Sequence, residues 1–124
     1  RVVALELKPN YVYDENANKH ILDLCLKMAL DLGHEIFINQ CLALRNRHSL
    51  IGSLSSIDCK TLVLCGEYDK LCNVKVHQDM VKHISNSKLS IIPNCGHLPI
   101  LEKPEVSTKK IMSFLNGDWD ECCV

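Results

Sequence analysis

Two residues suited to proton transfer close two strand-like runs: Asp69 at the end of TLVLCGEYD and His97 at the end of KLSIIPNCGH. Each run is short, apolar and β-branched before it breaks at a glycine, and the intervening VKVHQDMVKHI reads as a helix, so the unit is β-α-β. Strands joined in this way are parallel, and parallel neighbours point their C-terminal ends at one edge of the sheet. An acid after one strand and an imidazole after the next meet there. A carboxylate bonded to one imidazole nitrogen fixes the tautomer and stabilises the imidazolium, leaving the other nitrogen as a general base. Glu67 stands in the same loop as Asp69 and is the competing acid.

The elements that must hold this pair can be read outward from it. After a short RVVALEL run and a KPN turn, Ile21, Leu22, Cys25, Met28, Ala29 and Leu32 recur at helical spacing over residues 17 to 32, and Gly33 stands where a helix would stop. A second helix is expected from His34 to about Arg45, with Phe37, Ile38, Cys41 and Leu42 inward, followed by a connector, RNRHSLIGSLSSIDC, containing a short helical turn. The first secure strand runs from Thr61 to Cys65, the next helix from about Val74 to Ile84, and the second strand from Lys88 to Ile92. A last helix spans Pro104 to Leu115: Pro104 suits its first position, Ile111, Phe114 and Leu115 a buried face, and Asn116-Gly117 its stop. Two parallel strands alone leave an open edge and a poorly covered face, so the pattern implies part of a larger sheet. The first residue is Arg1, which fits a fragment, a processed subunit or a trimmed chain equally well.

Composition narrows the function classes. At 124 residues the chain is one domain at most. A net charge of −1 with interspersed signs lacks the basic stripe that a phosphate backbone demands, which excludes nucleic acid. No apolar run approaches the roughly 18 residues of a membrane span, and RVVALEL lacks the length and cleavage site of a signal peptide. Six of the eight cysteines (Cys25, Cys41, Cys59, Cys65, Cys72, Cys95) are scattered through apolar segments, where a thiol acts as a small apolar residue. That pattern implies free thiols in a reducing, cytoplasmic compartment. The ECCV ending is not a CaaX box, because Glu121 occupies the position the cysteine needs.

Other candidate sites are weaker. Cys72, His77, Cys95 and His97 lack the paired C-x-x-C or H-x-x-x-H spacing by which structural zinc sites announce themselves. His20, His34, His48, His77 and His83 lie on helices or connectors without shared spacing and are assigned no role. Cys95, two residues before His97, reads as a packed or idle loop thiol. Met28 and Phe37 suit an acyl pocket or a packed core equally well.

From about Met28 to Leu115 the chain resembles the C-terminal part of an α/β-hydrolase of the esterase, lactonase and carbon–carbon hydrolase type. CKTLVLCGEYDKL looks like that family's penultimate strand and acid loop, with Asp69 rather than Glu67 in the triad-acid position. IIPNCGHLPILEKPEVSTKKIMSFL is similar to its last strand, histidine loop and final helix: Gly96-His97 matches the catalytic histidine motif, and Pro99, Glu102, Pro104, Glu105, Phe114 and Leu115 match the usual continuation. MALDLGHEIFINQCLALRNRHSL looks like the end of a helical cap. The resemblance implies an α/β fold divided into a partial cap and connector (1–58), the C-terminal part of a hydrolase core (59–117) and a tail (118–124). It implies no cofactor, and it implies catalytic roles for Asp69 and His97 with an ester-like small-molecule substrate.

The nucleophile of this fold sits on a G-x-S-x-G elbow ahead of the acid and the histidine. None of Gly33, Gly52, Gly66, Gly96 and Gly117 brackets a serine or cysteine at that spacing, and the oxyanion loop is missing too. Each oxyanion donor lost costs about 2.7 to 4 kcal/mol. The chain is therefore expected to be inactive alone, with the missing N-terminal part of the domain as its partner. A non-catalytic binding module on a hydrolase-like scaffold is the alternative, and a truncated product without a stable fold is a third.

Overall fold

A computed structural model describes residues 8–118 and residue 120. The RVVALEL run and the ECCV ending, with the sequence expectations attached to them, lie outside the described residues. A 3-10 turn at Lys8–Asn10 leads into α1 (Lys19–Asn46); a second 3-10 stretch at Ile51–Ser56 leads into β1 (Thr61–Gly66), α2 (Val74–His83), β2 (Ser87–Ile92), α3 (Pro99–Glu102) and α4 (Pro104–Asn116).

Helix α1 begins behind a turn built by Asp14, whose Oδ1 accepts from the backbone N–H of Asn16 and Ala17 at 2.9 and 3.1 Å. It was expected as two helices, and the backbone does leave helical geometry at Gly33 (φ 80°, ψ 168°) before resuming at once. A side chain there would oppose the left-handed turn, so glycine makes the break cheap. The buried face differs from expectation. Ile21 and Leu22 are buried, and beyond them Met28, Leu32, Ile38 and Leu42 are exposed. Periodicity marks which face of a helix is apolar, but burial needs an opposing surface, and along the far half of α1 Phe37 is half-buried while its apolar neighbours stay exposed.

Strands β1 and β2 pair in parallel, with Thr61 opposite Ser87 and Gly66 opposite Ile92. Helix α2 is the crossover that returns the chain across the pair; Asn73 caps it by accepting from the Val76 N–H, and it packs on both strands. Its stop at His83 leaves Ile84 buried behind it. Val63, Cys65 and Ile92 form the sheet's share of the core.

Helix α3 was not anticipated. Pro99 presets its first turn and Pro104 starts α4 immediately after it, with Lys103 between them in a non-helical conformation. Ser107 Oγ donates to the Pro99 carbonyl at 2.8 Å and ties the two helices together. On α4 the buried positions are Ser107 and Ser113, not the expected Leu115, which is exposed; Ile111 and Phe114 are half-buried. No helix among the described residues is long and apolar enough to cross a membrane.

Candidate active site

The acid loop and the histidine loop are zipped together directly beyond the paired strands. The Glu67 N–H donates to the Ile92 carbonyl at 2.9 Å and the Tyr68 N–H to the Cys95 carbonyl at 2.8 Å. The approach is close enough to demand glycine at both ends of the zip. A Cβ on Gly66 would lie 2.0 Å from the Gly96 carbonyl oxygen, and one on Gly96 would lie 2.7 Å from the Val12 carbonyl carbon. The two glycines that broke the strand patterns therefore have a packing reason.

Asp69 is placed by its own loop. Its Oδ1 accepts from the backbone N–H of Leu71 and of Cys72, both at 2.8 Å, the local turn that Asp favours. That leaves Oδ2 for His97, whose Nδ1 is 2.8 Å away. Burial pushes the Asp69 carboxyl up, but the Cys72 N–H, the His97 ring and the Leu71 N–H together outweigh it and hold the group below the usual carboxylate range. An ionised carboxylate can only accept, so the shared proton belongs to Nδ1 and the lone pair to Nε2. The acid's side chain is 4% exposed and the imidazole 35%, so the pair is buried on its acid side and open on its base side.

The histidine loop is anchored from far away in sequence. The His97 N–H donates to the Tyr11 carbonyl at 2.9 Å, and Leu98 packs against the cluster of Val12, Ile21 and Leu22 at the start of α1. The Tyr13 ring lies against Tyr68 of the acid loop, with centroids 4.5 Å apart.

Asp69 and His97 thus meet as the β-α-β reading requires. Glu67 does not compete, because its Oε2 accepts from the Asn94 N–H at 3.1 Å and braces one loop against the other. An open groove of about 960 Å³ runs past the pair, walled by Leu62, Leu64, Leu98 and Ile100 with Asp69 and His97. Met28 and Phe37 are not among its walls, whereas His77, to which no role was assigned, is. Cys95 is fully buried, with Sγ 3.7 Å from both the Gly96 carbonyl and Glu102 Oε1. Burial first, then the Glu102 charge, pushes its thiol up to about 12, which makes it a packed group and no nucleophile. Among the described residues no three His, Cys, Asp or Glu side chains converge as a metal site.

The sequence places Glu102 in the stretch that continues the histidine motif, but assigns it no role. It is a buried acid whose Oε1 accepts from the Gly96 N–H at 2.9 Å and the Leu98 N–H at 3.3 Å, while Oε2 accepts from the Tyr13 N–H at 2.8 Å. The available signal was a lone carboxylate inside the apolar, proline-bounded LPILEKP stretch.

Residues 13–104 match the family described as alpha/beta hydrolase fold. The chain belongs to that family. Within it, the chain is similar to monoacylglycerol lipase ABHD6 of Mus musculus, 32% identical over 71 residues that make up 57% of this chain and 21% of the lipase. It is also similar to a putative 2-succinyl-6-hydroxy-2,4-cyclohexadiene-1-carboxylate synthase of Bacillus subtilis, 34% identical over 70 residues, 56% of this chain and 25% of that protein. The solved structure of a thermophilic esterase from Thermogutta terrifontis superposes with a TM-score of 0.86 and 27% identity, covering 94% of this hydrolase-fold chain and 43% of the esterase. The chain therefore spans less than half the length of that esterase, and its alignment covers about a fifth of the lipase.

Proposed function

We propose that this hydrolase-fold chain supplies the acid and the base of a serine-type triad that hydrolyses carboxylic esters, lactones or related bonds, with the nucleophile on a segment upstream of residue 1. The observation that carries this reading is the 2.8 Å contact between Asp69 Oδ2 and His97 Nδ1, with the imidazole open to a groove. Similarity to a lipase and an esterase supports the choice of ester substrates over other chemistry.

In that mechanism His97 Nε2 takes the proton of the serine hydroxyl as its oxygen attacks the acyl carbon. Asp69 keeps the ring in the correct tautomer and stabilises the imidazolium. The imidazolium then gives its proton to the leaving alcohol. Water then attacks the acyl-enzyme as His97 takes its proton, and the imidazolium returns that proton to the serine oxygen as the bond to the acyl carbon breaks and the carboxylic acid leaves. The apolar walls Leu62, Leu64 and Ile100 suit the acyl or alcohol portion of an ester. Scattered cysteines, with Cys65 and Cys95 packed as apolar groups, support a reducing, cytoplasmic setting.

The test is p-nitrophenyl ester hydrolysis by the protein joined to its upstream coding sequence. His97→Ala is expected to lower kcat by about 10⁶-fold, and the 124-residue chain alone is expected to show no turnover. Normal hydrolysis by the His97→Ala protein would sink the assignment.

A further inference from the structure

We propose that Glu102 is the positioning residue for His97, a role that rests on the catalytic reading of His97. The argument begins with burial. A carboxylate taken out of water is costly unless its lone pairs are filled, and Glu102 is only 9% exposed. Three backbone N–H groups fill them: Gly96 and Leu98 on Oε1, Tyr13 on Oε2. Two of these donors belong to the residues immediately before and after His97, and the third belongs to the segment whose Tyr11 carbonyl accepts the His97 N–H itself. Every backbone N–H from Gly96 to Leu98 is therefore committed either to Glu102 or to the segment that Glu102 holds.

The consequence is geometric. The imidazole can reach Asp69 only from one placement of the histidine backbone, because Asp69 is fixed independently by Leu71 and Cys72. Glu102 fixes the other half. It touches no reacting atom and acts through the loop, as outer partners orient a functional imidazole elsewhere. Its acceptor-only chemistry is what the position needs, since the three backbone N–H groups and the Cys95 thiol aimed at it are all donors.

Glu102→Gln preserves shape and replaces one oxygen with NH₂, so a donor then faces either Tyr13 or the Gly96 and Leu98 pair. In the ester-hydrolysing protein this variant is expected to lower kcat about 10²-fold, the cost of a misplacement near 1 Å, with KM changed less than about twofold. In the same protein the downfield His97 Nδ1–H proton resonance, which reports the bond to Asp69, is expected to shift or exchange away. A merely structural carboxylate would lower the melting temperature and leave kcat per folded molecule and that resonance unchanged, and this result overturns the inference. His97→Ala is measured alongside: if it stays active, the catalytic reading has failed, and the resonance alone then decides whether Glu102 positions the ring. If Glu102→Gln does not fold, Glu102→Asp is measured instead. It keeps both acceptors on a shorter stem that draws the loop with it, and a wild-type kcat in that variant equally overturns the role.

Discussion

Asp69 divides its carboxylate between two tasks: Oδ1 receives the N–H groups of Leu71 and Cys72, and Oδ2 alone faces His97 Nδ1 at 2.8 Å. The backbone bonds stop the carboxylate from rotating, so the contact with the ring is held from the acid side without support from the histidine. Two independently braced groups that touch at one point make a stiff dyad.

Asp69→Asn keeps an oxygen for the two backbone donors but turns an NH₂ toward His97. The ring then places its lone pair on Nδ1 and its proton on Nε2, the wrong tautomer for a base. By analogy with the same change in Ser-His-Asp enzymes, kcat should fall by about 10⁴-fold, measured on p-nitrophenyl esters in the active protein. A loss of less than about tenfold would remove Asp69 from the mechanism.

The depressed Asp69 titration also predicts an acid limit to stability. Because the folded group binds its proton less readily than the unfolded one, its contribution is complete above an ordinary Asp value of about 3.9 and is lost as the pH falls through the lower native value. Urea midpoints at pH 7 and at pH 2 to 3 measure this. Asp69→Asn should be the less stable protein at pH 7, and the gap between the two should narrow at the lower pH. A gap that is constant with pH counts against the native network around Asp69.

Gly66→Ala should be among the most damaging single-methyl additions in the chain. The new Cβ meets the backbone oxygens of Gly96 and Cys95 at 2.0 and 2.5 Å, where no flexible side chain can yield. Overpacking of this kind costs about 1 to 3 kcal/mol, and here it also pushes the histidine loop off the acid loop. Gly52→Ala is the control, with nothing within 4 Å of its added methyl. Equal melting temperatures for the two variants would contradict the close approach.

Cysteine reactivity should sort by burial. Cys41, Cys59 and Cys72 are exposed, whereas Cys65 and Cys95 are buried. Burial, then the Asp69 charge, pushes the Cys65 thiol up to about 11, and Cys95 is raised to about 12. Iodoacetamide at pH 8, read residue by residue by mass spectrometry, should label the first three and reach Cys65 and Cys95 only after denaturation. Fast labelling of Cys95 would mean that the histidine loop opens readily.

The β-α-β unit and its two polar strand ends were legible because they depend on local pattern: β-branched runs, a helical period and a glycine at each break. The glycines were read as breaks and proved also to be contacts, since a sequence reports where a chain turns but not what lies across from the turn. Helix α1 was legible in its spacing and in the interruption at Gly33, yet of its expected inward positions beyond Cys25 only Ala29 and Phe37 are half-buried, while Met28, Leu32, Ile38 and Leu42 are exposed. The role of Glu102, a residue noticed only as part of the histidine motif's continuation, and that of the Tyr11–Tyr13 segment were illegible for a different reason. Their partners are remote, and a bond between Tyr13 and Glu102 spans 89 residues with no periodic trace.

That same span bears on the order in which the molecule assembles. Closing a loop of such length is entropically expensive at first and only slightly more so for each added residue, and contacts of high sequence separation slow folding. The sheet pair and its crossover helix are local and can form early. The histidine loop reaches its final position only when the Tyr11–Tyr13 segment, far upstream of it in sequence, comes back to meet it. General-base geometry is thus a report on completed folding: a chain that has its secondary structure but has not yet joined the Tyr11–Tyr13 segment to the histidine loop would carry the imidazole without aiming it.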